Sequence, residues 1–407
     1  MFQSICPLHI ELKNPEKLTE KEFIPRSGHR IVVDEKNVYS WGGYNYDPDL
    51  WDLDDEDHTY PLLKELWRYQ IWTGEWKLLK THGDIPTQLA SHHLVKVKNH
   101  LLQFGGTGVP FGSANTNCLY DLDLDTLEWK VLLKPKSPAN DNDNDDDDDE
   151  DGDEEEDNGV PRPKYGHSLT LVDNCLYVIG GTCGYVYDSN IHKLDLKLLT
   201  WEEIPANSKY IPQPRYRHEV IYYKEKLLMF GGGAGVNYSA FNLDKIDVFD
   251  LDKQTWEKVM TFPSEQKLGQ GDSKKVFPGC RRCHSCVRFK DDVFVSSGLS
   301  PDGILEDMWR FHLPSYQWTA LEVPLPKPVY FHSAAVTNDG CMFIFGGVTR
   351  IDDQRTNALQ IMWVQIPPLK LLAFNTVVKS LNLEICKQDY QTLIALGIPR
   401  HCLDLIL

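Results

Sequence analysis

Short apolar bursts separated by polar turns run along most of this 407-residue chain. One stretch displays the unit. Arg217-His218 opens the run Glu219-Val220-Ile221-Tyr222-Tyr223, a polar turn follows at Lys224-Glu225-Lys226, and Leu227-Leu228-Met229-Phe230 ends at Gly231-Gly232. After a loop, Ile246-Asp247-Val248-Phe249-Asp250-Leu251 alternates apolar and polar residues, and Trp256 closes the unit. The short runs and their alternation predict four strands and no helix. The glycine pair suits a point where the chain leaves a buried strand, because glycine takes positive φ freely and tolerates close backbone approach.

The unit repeats. His29, His92, His167 and His218 each stand thirteen residues before a glycine pair, at Gly42-Gly43, Gly105-Gly106, Gly180-Gly181 and Gly231-Gly232. His284 keeps that offset to Ser297-Gly298, and His332 precedes Gly346-Gly347 with one extra residue. The closing tryptophan recurs at Trp76, Trp129, Trp201, Trp256 and Trp318. The third strand recurs as Leu66-Trp67-Arg68-Tyr69, Leu119-Tyr120-Asp121-Leu122, Ile191-His192-Lys193-Leu194 and Met308-Trp309-Arg310-Phe311. Aromatic-Gly-Gly, a spaced aromatic and a distal Trp resemble the kelch repeat, one four-stranded blade of a β-propeller.

The resemblance covers residues 25–366 and implies an all-β, six-bladed kelch propeller, followed by a small helical tail at 367–407. The sixth copy has its third strand at Gln360-Ile361-Met362-Trp363-Val364 but no fourth-strand Trp. The strand-like segment Phe2 to Ile10, within an N-terminal segment 1–24, is expected to supply the missing outer strand and close the ring.

The formal charge of -18 comes mostly from one place. Asn140 to Asn158 holds fourteen Asp or Glu and no Lys or Arg. It falls between Trp129 and His167, so residues 137–160 read as a solvated, disordered inter-blade insertion, with docking to a basic partner as the alternative use. The remainder is close to neutral and offers no basic face for nucleic acid. No window is long and apolar enough for a membrane span, and the N-terminus lacks a secretory pattern. Ten scattered cysteines without framework spacing suggest reduced thiols, in the cytosol or nucleus.

Catalytic chemistry is sparse. Cys280-Arg281-Arg282-Cys283-His284 contains C-x-x-C-H, but His284 is the repeat histidine of the fifth copy and no second ligand pair stands at zinc spacing. Gly231-Gly232-Gly233-Ala234-Gly235 opens no helix, no G-x-S-x-G occurs, and nothing suggests the Tyr-Cys copper site of kelch-like galactose oxidases. The expectation is a non-enzyme without cofactor or metal. The six repeat histidines are expected to be structural, tying adjacent blades by hydrogen bonds.

In kelch proteins that this chain resembles, the residue before the repeat histidine and the loop after the glycines face a central funnel. The first set is Gly28, Ser91, Gly166, Arg217, Cys283 and Phe331. One position earlier stand Ser27, Ala90, Tyr165, Tyr216, Arg282 and Tyr330. After the glycines come Tyr44, Phe111, Tyr185, Tyr187 and Tyr238. Arg217 and Arg282, on neighbouring blades among aromatics, suit an anionic group through paired charge-assisted hydrogen bonds. The competing reading is a pair with a local acid such as Glu219.

Beyond Pro367-Pro368, apolar residues take helical spacing from Leu369 to Leu381, with Leu369, Ala373 and Val377 four apart and Leu372 alongside. Two further short helices are expected, over Lys387 to Leu396 and after Pro399. Leu369, Ala373 and Val377 resemble the box that engages elongin B and elongin C, although Ala373 stands where Cys or Ser is usual. Ile398-Pro399 and Leu403 resemble the cullin-2 box. The bland alternative is a helical cap packed on the propeller.

With the ring, these boxes and phrases such as Arg215-Tyr216-Arg217-His218-Glu219 and Pro328-Val329-Tyr330-Phe331-His332, the chain resembles the kelch substrate receptors of cullin-2 ubiquitin ligases. That resemblance implies partners elongin B, elongin C and cullin-2. It also implies clients read at C-termini ending in a small residue such as Gly or Ala. Arg217 and Arg282 would hold the terminal carboxylate, and Tyr216, Tyr165, Tyr238, Tyr330 and Phe331 would wall the pocket. The rival expectation is a kelch scaffold that binds a folded partner and recruits no ligase.

Overall fold

The computed structural model describes residues 10–14, 23–45, 62–134, 159–235, 239–268, 272–349 and 354–369, with 371–373, 376 and 394 of the tail. Each repeat forms one antiparallel four-stranded sheet. In blade 4 the strands are Glu219–Tyr223, Lys226–Phe230, Lys245–Asp250 and Thr255–Met260, in that spatial order. The first two meet at a two-residue turn whose Lys224 and Glu225 have φ of 46° and 57°, the backbone that matches strand twist in a tight hairpin.

The innermost strands are Arg30–Val33, His93–Val97, Ser168–Val172, Glu219–Tyr223, Ser285–Phe289 and Ser333–Val336. Each touches the next around a closed ring of six blades. Closure comes from the N-terminus, as expected, through a strand that begins at Ile10, the last residue of the expected segment, and runs on to Lys13. The outer strand of blade 6 is Ile10–Lys13, antiparallel to Leu359–Trp363, with Ile10 opposite Met362. Residues 2–9 lie outside the described residues. Ile10 sets the register because it is 4% exposed among Val287, Met308, Met342 and Met362 at the junction of blades 5 and 6. Lys13 Nζ donates to the Tyr69 hydroxyl of blade 1 at 3.1 Å.

The core is divided among the blade interfaces. Phe230, Trp309, Phe311 and Trp318 pack between blades 4 and 5, Trp41 and Trp129 between blades 1 and 2, and Phe104 and Leu194 between blades 2 and 3. Each fully buried side chain of this size contributes roughly 1.5–3 kcal/mol.

The histidines and glycines fit each other across these interfaces. A Cβ on Gly42, Gly105, Gly180, Gly231 or Gly346 would lie 2.5–2.8 Å from Cε1 of the next blade's repeat histidine. A Cβ on the second glycine would meet the Cβ of the blade's own histidine, as for Gly232 and His218 at 2.7 Å. The histidine ring is thus seated on a bare backbone, and the tie between blades is mainly this packing. Hydrogen bonding is the smaller part, contrary to the expectation. His92 Nδ1 bonds the Leu89 carbonyl and His332 Nε2 the Ser296 hydroxyl, each at 3.0 Å. Burial holds the repeat histidines neutral, with His92, His218 and His332 pushed down to about 3.

Two features had no counterpart in the sequence reading. His82–Gly83 adds a fifth, parallel strand to blade 2. A hairpin, Ser264–Leu268 with Asp272–Val276, is inserted between blades 4 and 5.

Candidate functional site

The residues that precede the repeat histidines form a collar. Ser91 N donates to Gly28 O (2.8 Å), Gly166 N to Ser91 O (3.0 Å), Arg217 N to Gly166 O (2.7 Å) and Cys283 N to Arg217 O (3.1 Å). Phe331 N donates to Cys283 O (3.0 Å) and Gly28 N to Phe331 O (3.0 Å), which closes a circle of six main-chain hydrogen bonds. All six residues have φ between 55° and 67°. Left-handed backbone costs a non-glycine residue about 1–2 kcal/mol, and closure of the circle holds it there.

A second tier lies next to the collar. Ser27, Ala90, Tyr165, Tyr216, Arg282 and Tyr330 each bridge to the residue after the glycine pair of the same blade: Tyr44, Thr107, Thr182, Gly233, Leu299 and Val348. Tyr216 packs edge-on against Tyr165 (6.3 Å) and Tyr187 (5.3 Å), and its hydroxyl accepts from Arg282 Nη1 at 3.3 Å. The Tyr330 ring lies 5.1 Å from that of Phe331, tilted by 43°. Tyr44 lies 4.9 Å from Phe111.

Arg217 reaches across this space. Its guanidinium lies 4.4 Å over the Phe331 ring and donates to the Ser91 hydroxyl, so one side chain from blade 4 contacts blades 6 and 2. Among the described residues no carboxylate lies within ion-pair distance of it. Burial comes first among the causes that push its pKa down, with Cys283 opposing and Arg30 adding to the fall. Glu219, its suspected local partner, instead bonds Arg30 Nη1 at 2.9 Å. The two neighbours in chain are separated by geometry, because Glu219 begins the inner strand and faces the opposite blade.

The structure therefore brings Arg217, Arg282, Tyr216, Tyr165, Tyr330 and Phe331 together. Tyr185, by contrast, is 91% exposed, and Tyr238 lies outside the described residues. Arg355 was missed by the sequence reading. Its Nε donates to Ser27 Oγ at 3.1 Å and its guanidinium lies 4.7 Å over Tyr44, beside the first blade. Nothing in its repeat position announced it, since it sits in the loop before a third strand.

A repeated buried ion pair was also missed. Three residues before the histidine, Arg26, Lys164 and Arg215 reach Glu65, Asp188 and Asp247 at 2.6 Å, and Arg281 reaches Asp307 at 2.9 Å. The signal was present as a base at that offset in four of six copies. These pairs brace the blades. A separate cleft of about 290 Å³, lined by Arg162, Lys164, Cys183, Asp188, His192 and Glu203, belongs to blade 3.

In the tail, Leu369 and 371–373 are helical. The Pro368 carbonyl accepts from Leu371 N (2.8 Å) and Leu372 N (3.1 Å), as expected of a helix start. Leu371 is 8% exposed, whereas Leu369 is 81% and Leu372 44% exposed, with Ala373 also exposed. Val377, Ile398, Pro399 and Leu403 lie outside the described residues.

Comparison with known proteins agrees with this architecture. Residues 28–269 match the KLHDC2/KLHL20/DRC7 Kelch-repeats domain. Kelch domain-containing protein 10 of Mus musculus is 38% identical over 410 residues, covering 99% of this chain and 84% of the relative. Its Homo sapiens counterpart is 40% identical over 380 residues, covering 92% and 77%. Kelch domain-containing protein 2 of Bos taurus is 24% identical over 393 residues, covering 93% and 89%. At 38% and 40% identity to the first two over 99% and 92% of its length, the chain belongs to the family of kelch-repeat propellers called Kelch domain-containing protein 10.

Proposed function

We propose that this protein is the substrate-recognition subunit of a cullin-2 ubiquitin ligase, taking the C-terminal tail of client proteins in its funnel. The role is non-catalytic. The observation that carries the reading is Arg217: a guanidinium at the centre of the collar, stacked on Phe331, with no carboxylate partner among the described residues. A chain terminus supplies the missing anion, and a planar guanidinium takes a carboxylate through two parallel hydrogen bonds. Arg282, 4% exposed and bonded to Tyr216, extends the positive wall. Tyr165, Tyr216, Tyr330 and Phe331 narrow the space beside it, which favours a small last residue such as Gly or Ala.

The tail supports the second half of the reading. Leu369, Leu372 and Ala373 face solvent while Leu371 turns inward, so these three box residues are open to elongin B and elongin C, and cullin-2 engages further along the chain at Ile398, Pro399 and Leu403.

Two measurements test this. The first is co-purification with elongin B, elongin C and cullin-2, comparing wild type with the Leu369→Ala, Ala373→Phe double variant. Capture by wild type and loss in the variant is expected, and no capture by folded wild type would sink the ligase role. The second is peptide binding. Arg217→Ala is expected to abolish binding of an Ala-ended peptide while elongin capture persists, and equal affinity in both forms would reject the pocket.

A further inference from the structure

Directly after each repeat histidine the inner strands present a second circle of side chains: Arg30, His93, Ser168, Glu219, Ser285 and Ser333. The three serines are used between blades. Ser168 Oγ donates to His218 O at 2.9 Å, Ser285 Oγ donates to His332 O at 3.2 Å, and Ser333 Oγ accepts from Ile31 N at 3.0 Å. Burial keeps His93 neutral. The only formal charges in this circle are Arg30 and Glu219, and they come from blades 1 and 4.

In a six-membered ring those blades stand opposite each other. The 2.9 Å contact between Arg30 Nη1 and Glu219 Oε1 therefore crosses the axis, and Arg30 Nε also reaches the His92 carbonyl of blade 2 at 3.4 Å. The two side chains are only 14% and 11% exposed. A further observation places the Arg30 charge near the axis. After burial, it contributes to lowering the pKa of His29, His92, His167, His218, His284 and His332 alike, one from every blade.

We infer that the Arg30–Glu219 pair is the floor of the funnel, and that Arg30 is the positioning residue that makes the funnel selective for a free carboxylate. Two effects follow from one contact. The pair blocks the axis next to Arg217, so an extended chain entering from the collar side ends there and cannot thread through. It also occupies the carboxylate nearest in sequence to Arg217. Without Arg30, Glu219 would leave an uncompensated negative charge at the axis next to the collar, which would repel the incoming anion.

This inference rests on the proposed reading of the funnel. Its test uses the full chain and two peptides ending in Ala, one with a free carboxylate and one amidated. Affinities are measured for wild type, Arg30→Met and the Arg30→Met, Glu219→Gln double variant, with thermal melts fixing a temperature at which all three are folded. Wild type is expected to prefer the carboxylate. Arg30→Met is expected to cut that preference by about tenfold, equivalent to about 1.4 kcal/mol. The double variant, with no stray charge, is expected to restore it.

An unmoved preference in Arg30→Met overturns the role of the floor while the funnel reading stands. An equal loss in single and double variants also overturns it, since the pair would then act only as a brace. Absence of any preference in wild type rejects the funnel reading, and the floor's role falls with it.

Discussion

Arg281 and Asp307 meet through two parallel hydrogen bonds, Nη1 to Oδ1 and Nη2 to Oδ2, both 2.9 Å. The guanidinium also donates to the Ser297 and Gly279 carbonyls, so a fully buried cation joins the loop before the histidine to the end of the second strand. Replacing Asp307 with Ala leaves that charge unpaired. Removing one partner of a buried pair costs about 3–5 kcal/mol, toward the low end here because Asp307 is partly exposed. Denaturant unfolding should show the first transition of Asp307→Ala well below that of wild type, whereas Lys253→Ala, at an exposed surface pair, should leave it unmoved.

The repeat histidines give the fold a defined acid limit. Their ordinary value is 6.5, and burial lowers His92, His218 and His332 to about 3 in the folded state. Between those values the unfolded chain binds the protons that the folded chain refuses. Stability is therefore complete above pH 6.5 and is lost as pH falls toward 3, at about 1.4 kcal/mol per pH unit for each such histidine. Melting temperatures from pH 5 to 8 should be flat at the upper end and drop steeply below 6.5. A flat profile down to pH 5 would show that the rings are not buried neutral.

Gly231 has φ of 57°, and a Cβ there would stand 2.5 Å from the Arg281 carbonyl and 2.6 Å from His284 Cε1. Neither the backbone oxygen nor the seated ring can yield cheaply. Gly231→Ala should cost about 2–4 kcal/mol through steric overlap and left-handed strain. Gly279→Ala, where a Cβ meets nothing within 4 Å, is the control and should melt like wild type.

Ile10 fastens the ring. Ile10→Ala removes a buried anchor worth about 2–5 kcal/mol, and its loss falls on the one blade built from both chain ends. Limited proteolysis should cut the N-terminal strand of the variant faster than that of wild type while the interiors of blades 2 to 5 stay protected. Uniform protection in both proteins would mean the strand does not hold the ring closed.

What the sequence disclosed and what it hid have physical causes. The offset from histidine to glycine pair was legible because ring and glycine meet at five of the six blade boundaries, with Ser297 in place of the glycine at the other, so geometry holds the spacing within this one chain. The hairpin Ser264–Leu268 with Asp272–Val276 was not, since Glu265, Lys274 and Lys275 lie exposed and no apolar alternation marks a face. The collar positions of Arg217, Cys283 and Phe331 could be placed by counting back from the histidines. The Arg30–Glu219 contact could not, because it joins residues 189 apart and chain proximity pointed Glu219 toward Arg217. Arg355 was hidden for a related reason: it lies in an irregular loop, where repeat counting gives no register.

The circle of the collar is closed by main-chain hydrogen bonds, and this separates two demands that usually compete. Ring integrity at Gly28, Ser91, Gly166, Arg217, Cys283 and Phe331 asks only for a left-handed backbone, and the strain is similar for most side chains other than glycine. The side chains at Ser91, Arg217, Cys283 and Phe331 can then change without removing any of the six main-chain bonds. The collar is thus an unchanging hoop that carries exchangeable letters at Ser91, Arg217, Cys283 and Phe331, so what the ring presents at its axis can be rewritten one letter at a time without rebuilding the wheel.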